Sequence, residues 1–154
     1  MDRIDNAILT CLQNDGRMSN KELAAAVGLA PSSCLERVRK LQEKGVIQGY
    51  QALLNVRALG IGLQAFVSVR LSAHSRQYVD DFREYVVTLP EVVAVYHVAG
   101  QYDFLIHVAV QDAEHLRNLT LDAFTTRSEV ARLQTALIYE YIRNQTLPNY
   151  RQET

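Results

Sequence analysis

GLAPSSCLERVRKLQEKGVI, residues 28–47, decides the reading of the N-terminal half. Gly28 is a helix stop. Three residues later Pro31 suits a first helical position, because the N–H it lacks would have no intrahelical acceptor there. Cys34, Val38 and Leu41 then mark one buried stripe at helical spacing, down to Gly45. Ser32, Ser33, Arg37, Arg39, Lys40 and Lys44 stand off that stripe, a concentration of cations in a chain of formal net charge -1.

Towards the N-terminus, Ser19 and Glu22 form a capping box ahead of Leu23, Ala24 and Val27. Asp2 and Asp5 form another, followed by Ile4, Ile8, Cys11 and Leu12 until the Asn14–Gly16 stop. Three helices result, the last two joined by a tight glycine-containing turn: a helix-turn-helix over residues 1–50. When such a unit binds DNA, the first turn of its last helix reaches base edges in the major groove. The candidate DNA contacts are therefore Ser32, Ser33, Arg37, Arg39, Lys40 and Lys44, with Ser19 and Lys21 at the start of the preceding helix. Arg37 and Lys40 are expected to reach bases or flanking phosphates. A solvated basic face on a three-helix bundle accounts for the same cations. Charge balance does not choose between the two: residues 1–55 carry seven Lys or Arg against six Asp or Glu, and the remainder nine against eleven.

After Gly45 the period changes from 3.6 to 2. VIQGYQALLN reads as a strand followed by a connecting segment, with residues 51–61 as linker. Over residues 62–142 a second domain begins with Leu63, Ala65, Val67, Val69 and Leu71 alternating with polar residues. It continues with a helix stripe of Tyr78, Val79, Phe82, Tyr85, Val86 and Leu89, closed by Pro90. VVAVYHVA and DFLIHVAV flank GQY as an antiparallel hairpin, Leu116 to Phe124 suggest a helix, and VARLQTALIYEYI reads as a long last strand. Strand, helix, strand, strand, helix, strand is the ferredoxin-like βαββαβ order, so the fold class is α+β. Helices cover one face of such a sheet, yet Phe66, Ala136 and Ile138 make the other face apolar, which predicts that a second copy covers it. Residues 143–154 read as a polar, loosely ordered tail.

No run reaches the roughly 20 apolar residues of a membrane span, and the N-terminus is charged, so the chain is expected to be soluble and cytoplasmic. Cys11 and Cys34 fall at apolar helical positions, too few for a disulfide framework. His97 and His107 lie on neighbouring strands, but their positions do not match pairing around Gly100–Tyr102 and no further ligand joins them, so no metal site is expected. No nucleophile elbow, phosphate loop or dinucleotide fingerprint is present, and neither catalysis nor a cofactor is expected.

These residues, taken together and in order, resemble the Lrp/AsnC, or feast/famine, transcription regulators. The resemblance rests on Asp5 with Ile8 and Leu9, DGR at 15–17, ELA at 22–24, VGLA at 27–30, Arg37–Val38 and Leu41, GVIQGY at 45–50, VAGQYDF at 98–104 and Thr135. It implies a winged-type helix-turn-helix joined to a RAM or ACT-like effector domain, with homodimers that assemble into tetramers or octamers. The DNA-binding state would answer to an amino acid or related small molecule. The resemblance puts that effector at Ala99, Gly100, Gln101, Tyr102 and Asp103, with Thr135, Ala136, Leu137 and Ile138 on the last strand. Chemically, Gly100 permits close backbone approach to a carboxylate and Asp103 can accept from an ammonium group; both residue types are equally at home in a hairpin turn. The alternative output is architectural DNA binding, with ligand sensing secondary. Two departures stand out. Ala30 replaces the serine that many relatives place before the proline, and Arg127–Val130 lacks their glycine.

Overall fold

Both capping boxes form as their spacing requires. Asp5 N–H donates to Asp2 Oδ1 at 2.8 Å and Asp2 N–H to Asp5 Oδ2 at 3.1 Å, opening α1 (Arg3–Asn14). Ser19 and Glu22 exchange the same pair of bonds at the head of α2 (Asn20–Val27), which Gly28 ends at φ 70°. Ala30 makes no side-chain cap, so α3 (Pro31–Glu43) begins on proline alone. Ile8, Leu23, Ala24, Cys34 and Leu41 form the core of these three helices.

The computed structural model describes residues 1–73, 75–144 and 146–150. It divides into two units, Met1–Leu53 with the segment from Ile142 onward, and Leu54–Tyr141. The expected loose tail is thus tied to the helical unit. Leu147 N–H donates to Gln13 Oε1 at 2.7 Å and Asn149 Nδ2 to Asn6 Oδ1 at 2.8 Å. Asn6 and Gln13 are seven residues apart, so α1 presents both amide acceptors on one face. Residues 145 and 151–154 of that expected tail lie outside the described residues.

In the second unit a short 3-10 turn (Val56–Leu59) precedes β1 (Leu63–Leu71), α4 (Arg76–Val86), β2 (Val92–His97), β3 (Phe104–Val110), α5 (Ala113–Leu119) and β4 (Val130–Leu137). The antiparallel sheet has strand order β2-β3-β1-β4, the expected ferredoxin-like arrangement. Ala65, Val67, Val69 and Leu71 bury one face with Phe104, Ile106, Val108 and Val110. Against them pack Phe82 and Phe124, with the Phe82 ring 5.1 Å from Phe104 and 6.5 Å from Phe124. The turn into β4 closes without glycine: Arg127 N–H donates to Phe124 O, Val130 N–H donates to Arg127 O, and Arg127 pairs with buried Glu129.

Two strand readings need correction. VIQGYQALLN forms no strand: residues 48–55 are exposed and join no ladder among the described residues, because extended backbone needs a neighbour for its N–H and C=O groups. The last strand stops at Leu137 rather than near Ile142. Its partner β1 starts at Leu63, and Ile138 N–H to Gln64 O is the final rung.

Gly62 enters β1 with its N–H on Val110 O at 3.1 Å, and a Cβ there would overlap the carbonyl oxygen of Gln111. Gly62→Ala is therefore expected to cost about 1–3 kcal/mol, the usual range for forced overpacking. A urea titration reads this as a lower midpoint, and an unchanged midpoint would mean that the backbone moves aside freely.

Candidate functional site

The candidate DNA contacts begin at the first turn of α3, where Pro31, Ser32 and Ser33 all face solvent. Its approach to α2 is fixed by Asn20, whose Nδ2 donates to Pro31 O at 2.8 Å. Asn20 is absent from the candidates above, and its place directly after the capping Ser19 is the local signal for it. Lys21, Arg39 and Lys44 are exposed, and Ser19 lies at the α2 cap with its Oγ engaged by Glu22 N–H. Lys40 is exposed but paired with Glu36 at 2.7 Å, which holds the Glu36 carboxyl below the usual carboxylate range.

Arg37 is placed differently from its neighbours. Its Nη1 meets Asp2 Oδ2 at 2.6 Å and Asp5 Oδ1 at 2.8 Å, so it bridges α3 to the capping box of α1. Hydrogen bonds to both carboxylates hold its guanidinium above its ordinary range. The Asp5 backbone N–H and then Arg37 hold the Asp2 carboxyl below its own. A groove of about 310 Å³ runs beside this bridge, lined by Met1, Asp5, Ser33, Arg37, Lys40 and Lys44 among others.

The ligand-side candidates separate into two places. Ala99 to Asp103 form the β2–β3 loop, in which Gly100 takes φ 141° with open space where a Cβ would stand. Val98 N–H donates to Asp103 O, and Asp103 N–H to Val69 O, each at 2.9 Å. Asp103 is itself buried, and its Oδ2 accepts from Leu71 N–H at 2.7 Å. That carboxylate serves the end of β1, a role the expected ammonium contact did not include. Gln101 is exposed, and Tyr102 donates its hydroxyl to Gln134 on β4, tying the loop to that strand. Thr135, Ala136 and Leu137 lie opposite Val67, Phe66 and Ala65, and Ile138 bonds Gln64. From Val69 to Ala65 is about 13 Å of strand. Within one chain, the loop and the far end of β4 do not line a common site for a molecule of amino-acid size.

Phe66, Tyr96, Leu105, His107 and Ala136 share the sheet face away from the helices. Phe66 lies 6.5 Å from the Tyr96 ring and 5.4 Å from His107, which also meets Tyr141 at 6.0 Å. His97 points to the other face, stacked on Phe104 at 4.9 Å, so the two histidines do not converge.

Burial pushes the His107 imidazole below its ordinary value of 6.5, and its Nε2 sits 2.8 Å from Gln64 Oε1. The unfolded chain therefore binds the proton first. Stability from a neutral His107 is complete above about pH 6.5 and falls as pH drops from there towards the folded-state pKa. Melting between pH 7.5 and 5.5 should show this loss, and His107→Gln should flatten it. An equally steep loss in the variant would assign it to other groups.

With this geometry in view, residues 1–48 match the winged helix-turn-helix DNA-binding family, and residues 64–148 match the Lrp/AsnC ligand binding domain. The chain belongs to the Lrp/AsnC family. It is 44% identical over 143 residues to the HTH-type transcriptional regulator AldR of Mycolicibacterium smegmatis, covering 93% of this chain and 84% of that protein. It is 38% identical to the leucine-responsive regulatory protein of Escherichia coli strain K12, over 93% of this chain and 87% of that one. A transcriptional regulator of Neisseria meningitidis, crystallised in complex with L-Met, superposes with a TM-score of 0.89 at 32% identity, over 96% of each chain. An AsnC family regulator from Agrobacterium tumefaciens gives 0.88 at 34%, over 96% of this chain and 97% of that one. This Lrp/AsnC protein is a transcriptional regulator that joins a helix-turn-helix DNA-binding domain to a ligand-binding domain.

Proposed function

We propose that this Lrp/AsnC protein is a cytoplasmic, non-enzymatic regulator whose sequence-specific DNA binding or assembly is set by an amino acid or closely related small molecule. Its nearness in fold to a regulator crystallised with L-Met carries this reading. The DNA side comprises Ser19, Lys21, Ser32, Ser33, Arg39, Lys40 and Lys44, supported by the exposed first turn of α3 and the cations behind it. The effector side comprises Ala99–Asp103 and Thr135–Ile138. A ligand touching both the loop and the far end of β4, at Leu137 and Ile138, would draw them from different subunits. The working form is a homodimer closed through the Phe66 face, with tetramers or octamers built from it. The apolar character of that face supports this, because such a face left in water is destabilising.

The experiment is selection of genomic fragments by the purified protein at one fixed salt concentration, with and without a pool of the common amino acids. Phosphate contacts make every affinity salt-dependent, so the salt must not vary. The expected result is a small set of imperfect palindromes whose enrichment shifts with the pool. Featureless binding that ignores the pool would replace this reading with an architectural one.

A further inference from the structure

Among the cations of α3, Arg37 is held by two carboxylates of another helix terminus, whereas Lys40 pairs only with Glu36 on its own helix. Its Nη1 holds Asp2 and Asp5 at 2.6 and 2.8 Å, and its side chain is only 32% exposed. Asp2 and Asp5 are not free surface carboxylates, since each also caps the other's backbone N–H at the head of α1. The bridge therefore fixes a helix terminus to the middle of the recognition helix. A guanidinium pinned by two carboxylates adds no net positive charge towards a phosphate. Freeing it for DNA would break two charge-assisted bonds. Lys40 and Lys44 flank the same groove and face solvent.

We propose that Arg37 is a positioning residue: with Asp2 and Asp5 it sets the pitch of α3 against α1, and thereby aims Ser32, Ser33 and Lys40 at the DNA, without itself contacting it. Buried Cys34 and Leu41 seat α3 in the helical core, and two polar connections tie its start and its middle, Asn20 to Pro31 and this bridge. Losing the second leaves the helix seated by its core residues and first turn, with its outer face held less closely against α1.

The position and contact roles predict opposite signs for a change on the other side of the bridge. The test combines Asp2→Ser with Asp5→Asn, which keeps both capping acceptors and removes both charges. If Arg37 touches DNA, removing its acidic competitors releases it and strengthens binding. If Arg37 positions α3, binding weakens, by about tenfold, the size of one lost base contact. Arg37→Ala is then made in both backgrounds. Positioning predicts a loss of about tenfold in the wild-type background and almost none in the acid-free one, because the bridge is already open. A direct contact predicts an equal or larger loss in the acid-free background.

Affinities are measured on a fragment enriched by the wild-type chain, at a temperature where circular dichroism shows every variant folded. This separates aiming from stability, since a purely structural bridge would lower the melting temperature and leave affinity unchanged. Arg37→Lys, which can still hold one carboxylate, should recover part of the affinity. Tighter binding by the acid-free variant, a full Arg37→Ala penalty within it, or unchanged affinity throughout would each overturn the proposal.

Discussion

In the homodimer proposed above, Tyr96→Glu is expected to convert dimers to monomers and weaken binding to a palindromic site by about 10²- to 10⁴-fold, the range set by losing a linked second site. Tyr96 lies on the sheet face away from the helices, within ring contact of Phe66, and is 50% exposed in the single chain. That exposure lets the folded unit tolerate a carboxylate there. A covering second copy would not tolerate it, since an unpaired charge buried in an apolar interface costs several kcal/mol. Light scattering at micromolar concentration gives the assembly and a DNA titration gives the affinity. A variant that stays dimeric would move the interface elsewhere.

Asp103→Ala is expected to remove about 1–3 kcal/mol from the ligand-binding unit, the penalty for stranding a buried donor. The β1–β3 ladder ends where Val69 meets Phe104, and Leu71 lies beyond it with its N–H on Asp103 Oδ2. Alanine leaves that N–H without its acceptor. Asp103→Asn supplies an amide oxygen in the same place and should restore most of the stability. The pair of variants also separates two roles. Where the carboxylate charge recognises an effector ammonium group, asparagine folds normally yet loses the response. Where Asp103 only closes the strand end, asparagine keeps both. Urea unfolding and an effector titration, run on the same two proteins, give the answer. Equal stability of the alanine variant and the wild type would refute the strand-end role.

Local chemistry was legible in the chain wherever a short spacing determined it. Asp2 with Asp5, Ser19 with Glu22, and Gly28 with Pro31 all act within a few residues, and each forms as its spacing indicates. The alternation from Ala65 to Leu71 likewise declares which side faces the core. Partners far along the chain carried no such signal. The Asp2 and Asp5 partners of Arg37 lie 35 and 32 residues away, beyond the reach of any local spacing rule. The contact of Asp103 with Leu71 is visible only in the folded register. The effector candidates group by resemblance, while the register of β1 with β4 sets Leu137 and Ile138 far from the loop and leaves Tyr102 on Gln134, beside Thr135. VIQGYQALLN has the composition of a strand, but composition does not supply a neighbouring backbone.

The return of the chain from Ile142 to α1 bears on how this protein can be taken apart and recombined. A gene fragment ending at Leu53 encodes all three helices yet omits what fills the acceptors on Gln13 and Asn6. A chimaera that borrows DNA specificity by exchanging residues 1–53 alone would graft those helices onto a foreign C-terminal strap. Exchange of specificity between relatives therefore has to move two pieces that flank the ligand-binding unit, because the helical module is not contiguous in the sequence.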